Sequence, residues 1–305
     1  MNIRLKLAIA PCVLALAACG GSEDDDHMHG DKQTLTLSFT DLPQLGASQV
    51  YEGWIIVDGQ PVTTGRFTVD GTGALSQTSF ELDHEQAEKA SDFVLTLEPA
   101  MGDDPAPSKT HILAGPFATP GSGSASLTMA DSKALGTDFA SAAGSFILAT
   151  PTTGSTTTDD NNQGIWWLDF SGAAPAVSLT LPELPEGWRY EGWVADISGS
   201  SPVPITTGVF TSGMGADSDG AGPTAGPDGS PPFPGQDFIM PARDLTTDHM
   251  AVISVEPFPD DSPDPFHIKP LAVRIGSGTG KDNPQTMDNN IANTGVSGTA
   301  TWATK

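Results

Sequence analysis

The sequence predicts an all-β fold made of two tandem antiparallel β-sandwich domains with long Gly/Pro/Asp-rich loops. Three observations lead there. Short runs of alternating apolar and polar residues end at turn signals such as Asp58-Gly59 and Asp70-Gly71. Gly (34) and Pro (26) make up about a fifth of the 305 residues, the level expected for many turns between short strands. The stretch Tyr51-Glu52-Gly53-Trp54 returns as Tyr190-Glu191-Gly192-Trp193, and its surroundings return with it. Thr63-Thr64-Gly65-Arg66-Phe67 is matched by Thr206-Thr207-Gly208-Val209-Phe210, and Leu97-Glu98-Pro99 by Val255-Glu256-Pro257.

The first module, residues 34–172, opens with Leu35, Leu37 and Phe39 alternating with Thr36 and Ser38, the period of a half-buried strand. Val50 to Val57 and Arg66 to Val69 are further strands, and Ser79 to Leu82 is a short one. Asp83 to Ala90 is the single helical turn expected, with Asp83 as N-cap and acids in its first turn. Strands follow at Phe93 to Leu97, His111 to Ala114, Ala125 to Met129 and Phe146 to Ala149. Across the polar run 151–163, Ile165 to Leu168 reads as a buried strand pairing with Phe146 to Ala149.

The second module, 173–276, is expected to repeat the scheme. Val177, Leu179 and Leu181 match the opening strand, Trp188 to Ile197 carries the repeated motif, and Thr206 to Phe210 matches Thr63 to Phe67. Ser212 to Gln236, dense in Gly, Pro, Ser and Asp, reads as an inserted surface loop. Ala251, Ile253 and Val255 lead to Glu256-Pro257, His267-Ile268 is aligned with His111-Ile112, and Leu271 to Ile275 follows. Residues 277–305 read as a frayed or loosely docked polar tail.

The N-terminus carries an address. Arg4 and Lys6 precede an apolar run, Leu7 to Ala18, too short to span a bilayer. Leu16-Ala17-Ala18-Cys19 resembles the bacterial lipoprotein signal, with residues 1–18 removed and Cys19 acylated. That reading removes Cys12, commits Cys19 to lipid and leaves no intrachain disulfide. Gly20 follows the cysteine rather than the Asp that resembles an inner-membrane retention signal, so the expected location is the cell envelope, at the outer membrane of a Gram-negative cell. Residues 19–33 form an acidic tether. A net charge of −25 argues against nucleic-acid partners.

On a strand, Tyr51 and Gly53 face one way and Glu52 and Trp54 the other. Trp54 and Trp193 are read as core anchors that mark each module; the alternative is a ligand surface displayed twice. Glu98 and Glu256, at strand ends before acidic Pro loops, are read as acceptors for loop amides rather than as acids.

A Tyr-Glu-Gly-Trp strand, then Thr-Gly-x-Phe, then a strand ending in Glu-Pro resembles the extracytoplasmic C-terminal domain of anti-sigma-K factors, the RskA-like domain. The resemblance covers most of 34–150 and, more loosely, 176–275. It implies a sensory-side module outside the membrane. Family members join that module through one helix to a cytoplasmic sigma-binding domain. This chain has no such helix or segment, so no direct sigma-factor binding is expected, and no catalytic residues carry over.

There is no G-x-S-x-G elbow, H-E-x-x-H or P-loop, and neither an enzymatic activity nor a cofactor is expected. The expected function is a lipid-anchored envelope protein with a non-enzymatic binding, scaffolding or signalling role. Its partners would be the membrane, through the lipid, and an envelope protein or ligand. The alternative is metal handling, through His27, Met28 and His29 for copper. Calcium would instead use Asp217-Ser218-Asp219-Gly220, Asp159-Asp160-Asn161-Asn162 or Asp260-Asp261.

Overall fold

The structure is a computed structural model that describes residues 31–154, 160–260 and 262–304. Cys19, His27, Met28 and His29 lie outside the described residues. From the N-terminal side come β1 (Lys32–Thr40), β2 (Gln49–Val57), β3 (Gln60–Phe67), β4 (Ser79–Asp83), α1 (His84–Glu88), β5 (Ala90–Pro99), β6 (His111–Thr119) and β7 (Ser122–Thr128). The middle of the chain gives β8 (Ser145–Leu148), β9 (Gly164–Trp166), β10 (Leu168–Asp169) and β11 (Ala176–Val177). Then follow β12 (Trp188–Asp196), β13 (Val203–Phe210), β14 (Gly235–Asp237), β15 (His249–Pro257) and β16 (Leu271–Arg274). The chain closes with β17 (Gln285–Thr286), β18 (Asp288–Asn289), α2 (Ile291–Thr294) and β19 (Ser297–Trp302).

Alternation explains the first strand. Leu35 and Leu37 are buried while Thr36 and Ser38 are exposed. Asp83 caps α1 as expected, its carboxylate accepting the Glu85 amide at 3.0 Å. The largest sheet has the order β3-β2-β5-β6-β7-β19-β1-β4. Its two outer strands approach each other through Phe67 and Phe80, whose ring centroids are 6.2 Å apart, so the sheet nearly closes into a barrel. A second sheet, β13-β12-β15-β16-β18, holds the repeated motif, and a third runs β14-β9-β8-β17. The expected pairing of Ile165–Leu168 with Phe146–Ala149 is present as β9 on β8, with Ile147 opposite Trp166.

The all-β class is as predicted, but the chain is not divided into two separate cores. Residues 32–305 form one compact unit, and one apolar cluster runs from Leu35 and Tyr51 through Trp167 to Tyr190, Val255 and Trp302. The physical reason is the C-terminal segment, which the sequence presents as a polar tail. Instead, β19 inserts between β1 and β7, with Leu35 opposite Trp302 and Ser297 opposite Thr128. Its sequence, Ser-Gly-Thr-Ala-Thr-Trp, is weakly apolar, and burying Ala300 and Trp302 with ladder hydrogen bonds on both sides suffices to hold it. Farther upstream, β17 pairs with β8 and β18 with β16, tying residues 285–289 to both halves.

The opening strand expected at Val177–Leu181 is reduced to β11 and a single bridge between Ala143 and Thr180. In the first half, β1 is flanked by β19 and β4; the second half supplies neither neighbour to residues 177–181. The insertion 212–236 is largely loop, yet its end forms β14, where Gln236 and Asp237 are buried.

Candidate functional site

The two motif copies share their strand pairing and their principal hydrogen bonds. Tyr51 lies opposite Phe67 and Leu97, and Tyr190 opposite Phe210 and Val255. Each motif strand carries a register shift at its Gly-Trp step against the Thr-Gly-x-Phe strand. Facing that step, Gly65 and Gly208 adopt φ of 125° and 99°, a left-handed conformation that favours glycine. The motif glycines are required by contact. A Cβ at Gly53 would meet Thr64 Oγ1 at 2.5 Å and the Phe93 ring at 2.7 Å, and one at Gly192 would meet Trp167 Nε1 at 2.6 Å.

Each tyrosine hydroxyl donates to a proline carbonyl eight residues upstream, Tyr51 to Pro43 at 2.9 Å and Tyr190 to Pro182 at 2.7 Å. Burial raises both phenol pKa values. The tyrosines belong to the main core. Trp54 and Trp193 are also buried, but on the opposite strand face. Trp54 packs with Val94, Ala114 and Ala134 in a small separate cluster. The tyrosines are thus the anchors of the shared core.

On the tryptophan face a hydrogen-bond chain repeats. Trp54 Nε1 donates to Thr96 Oγ1 at 2.9 Å, the Thr96 hydroxyl donates to Glu98, and Glu98 Oε1 accepts the Ser108 amide at 2.8 Å. In the second copy, Trp193 Nε1 donates to Ser254 Oγ at 2.7 Å, Ser254 to Glu256, and Glu256 Oε1 accepts the Phe266 amide at 2.9 Å. Glu98 and Glu256 therefore hold loop amides ten residues downstream, the role read from their place before the Pro loops. This register aligns Ser108 with Phe266, and so Lys109 with His267 and His111 with Lys269. The alignment of His111 with His267 taken from sequence is off by two residues. His111 Nδ1 contacts the Lys133 carbonyl at 2.8 Å, whereas His267 Nε2 is buried without a hydrogen-bond partner and burial lowers its pKa.

The copies part company in their charges. Glu52 accepts from Thr63 at 2.5 Å and from Arg66 Nε at 2.7 Å, and Arg66 also pairs with Asp103. Glu191 likewise accepts from Thr206, but the residue opposite it on the neighbouring strand is Val209, where Glu52 faces Arg66. Glu191, Glu256 and Asp260 then converge, each offering a carboxylate oxygen within 4.8 Å of the others. Burial raises the Glu191 pKa and pushes Glu256 up to about 8, and the neighbouring acids add to both shifts.

Of the calcium candidates read from sequence, only Asp260 joins this convergence, and Asp261 lies outside the described residues. Asp217 accepts the Gly235 and Asp219 amides at 2.8 and 3.3 Å, and burial with Asp219 beside it lifts its pKa to about 7. Asp160 accepts from Thr150 at 2.7 Å, and Asp159 is outside the described residues. Sequence reasoning missed Glu191 as a cluster member. The signal was present as Arg66 in one Thr-Gly-x-Phe segment and Val209 in the other.

The fold and this network define an all-β protein organised around a tyrosine-anchored, carboxylate-rich strand motif. Residues 27–112 match the family model described as anti-sigma-K factor rskA, C-terminal. This part of the chain, spanning β1 to the start of β6, is an RskA C-terminal-like domain. No curated protein and no solved structure matches the chain. Among the described residues, no helix is long and apolar enough to cross a membrane.

Proposed function

We propose that the chain is a lipid-anchored envelope protein carrying two RskA-like modules. Its role is non-enzymatic: it binds, scaffolds or signals, and it does not hold a sigma factor directly. The match of residues 27–112 to the RskA C-terminal family carries this reading, because it points to an envelope- and signalling-related role. The second module is inferred from the repeated Tyr-OH, Trp–hydroxyl–Glu and Glu–amide hydrogen bonds at residues 190–266. The anchor is inferred from Leu16-Ala17-Ala18-Cys19. Several acyl chains anchor stably where one binds only marginally.

Fractionation tests the anchor. Wild-type chain is expected in the membrane fraction, at the outer membrane of a Gram-negative host, with processing blocked by globomycin. Cys19→Ser is expected in the soluble fraction; a Cys19→Ser chain still wholly membrane-bound refutes the anchor. In-cell crosslinking followed by pull-down is expected to recover an envelope protein. Specific recovery of a sigma factor instead would overturn the assignment of partner.

A further inference from the structure

The second copy carries an arginine of its own, placed differently from Arg66. Arg189 sits on β12, one residue before Tyr190, where the first copy has Val50. Carboxylates are plentiful on this chain, with 38 Asp and Glu against 13 Lys and Arg. Arg66, Arg243 and Arg274 each make an ion pair. Arg189 makes none among the described residues. Glu256 stands opposite it in the ladder, but the Glu256 oxygens are committed to the Phe266 amide and the Ser254 hydroxyl. The Arg189 guanidinium instead lies over the Phe258 ring, 4.7 Å from its centroid, and donates through Nη1 to the Trp188 carbonyl at 2.7 Å. A guanidinium carries several N–H donors, and the rest of this set has no acceptor among the described residues.

Arg189 and Phe258 line a cavity of about 410 Å3 together with Val209, Phe210, Met214 and Asp217. Pockets for small molecules run from about 300 to 1,000 Å3 and are mostly apolar with a few placed polar groups. The apolar wall here is open to solvent, with Met214 71% and Phe258 49% exposed. Met214 and Asp217 come from the insertion 212–236, and Phe258 stands where the first copy has Ala100, so the cavity belongs to the second copy alone. Asp217 is the acid of this lining, and both its oxygens accept backbone amides, from Gly235 and Asp219. One cation with an acid nearby suits a monoanion better than a phosphate dianion. The planar guanidinium also matches the two oxygens of a carboxylate.

We propose that this cavity binds a small organic monocarboxylate, with its carboxylate on the Arg189 guanidinium and its apolar body against Val209, Met214 and Phe258. The inference rests on the non-enzymatic binding role proposed above and gives it a ligand class. It does not depend on the lipid anchor, so a failure here leaves the fractionation and crosslinking outcomes untouched.

Titration calorimetry and methionine-methyl NMR of the purified chain, with octanoate as the probe, test this. The expected result is one octanoate per chain and a shift of the Met214 methyl signal, identified by its loss in Met214→Leu. Acetate lacks the apolar body, octanamide lacks the charge and inorganic phosphate lacks both the body and the carboxylate; each is expected to bind at least tenfold more weakly. Arg189→Met keeps an unbranched stem beside Phe258 and is expected to weaken octanoate at least tenfold while leaving octanamide unchanged. Met214→Ser, on an exposed loop, is expected to weaken octanoate about fivefold and serves if the arginine variant does not fold. No binding heat and no Met214 shift would overturn the site. So would octanamide binding as tightly as octanoate, or a folded Arg189→Met or Met214→Ser chain that binds octanoate as wild type does. A peptide with a free C-terminal leucine that binds more tightly than octanoate would overturn the small-molecule assignment.

Discussion

The first and second copies of the Tyr-Glu-Gly-Trp motif share one backbone frame and one hydrogen-bond scheme, yet they are finished differently. The first is closed by a cation, Arg66, and its sheet is completed by β19 from the far end of the chain. The second is left with converging carboxylates and is roofed by Trp167, whose indole N–H donates to Thr207 Oγ1 at 3.1 Å. Its counterpart in the first copy, Thr64 Oγ1, is buried without a partner. The backbone and its hydroxyl–carboxylate relays therefore define the fold, and the side chains packed over them are free to diverge in charge and polarity.

The largest effect expected separates the two copies, if they can be separated. Deleting residues 296–305 removes β19 and buried Trp302 and leaves β1 and β7 each unpaired on one side, opening a gap within the sheet. With one core running through both halves, loss of cooperative melting is expected by circular dichroism throughout the chain. Hydrogen-exchange protection that survived in β12 and β15 alone would break that picture and make the second half an independent folding unit.

The next effect is electrostatic. Glu256 has its pKa lifted from 4.5 to about 8, chiefly by burial, with Asp260 and Glu191 adding to the shift. Between those values the folded chain holds a proton that the unfolded chain has released. The associated stability is full below about pH 4.5 and is lost as the pH rises through 8, a change on the order of 5 kcal/mol. Asp217, lifted to about 7, acts in the same direction. Denaturant melts in chelator from pH 5 to 8 should show this decline, and Glu256→Gln should flatten it. A slope unchanged by that variant would place the titrating group elsewhere.

The threonine pair gives a smaller and opposite-signed contrast. Thr207→Val orphans the buried Trp167 indole and should destabilise by about 1–3 kcal/mol. Thr64→Val removes a hydroxyl that has no partner and should be neutral or stabilising by up to about 1 kcal/mol. Equal losses in the two variants, measured by urea melts, would erase the distinction. The smallest effect concerns Lys109 and Glu186, an exposed ion pair that links the two halves. Lys109→Ala should change stability by less than about 0.5 kcal/mol.

How much of this could be read in the sequence follows from the range of each interaction. Strands whose alternation is local, such as Leu35–Phe39 and the two Tyr-Glu-Gly-Trp strands, were legible, as was the Asp83 cap. The glutamates before the Pro loops were legible too, because Glu-Pro ends a strand and leaves loop amides nearby. Strand β19 was not, because Gly, Ser and Thr between Ala300 and Trp302 carry little apolar signal and its partners lie more than 160 residues away. The shared core was hidden for the same reason: each motif copy predicts its own sheet, and nothing local says that the sheets meet. Of the candidate site, Glu256 and Asp260 stood out by position, but Glu191 emerged only once Val209 was seen opposite it.

The place of β19 also sets an order of events in time. Strand β1 is among the first parts of the compact unit to be synthesised, and one of its two neighbours is the last strand of the chain. Ala303 donates its amide to the Thr34 carbonyl at 2.9 Å, so the largest sheet cannot close until the segment carrying β19 has been made. Contacts this distant in sequence form slowly. A growing chain of this kind keeps its largest sheet open until the β19 segment is available to pair.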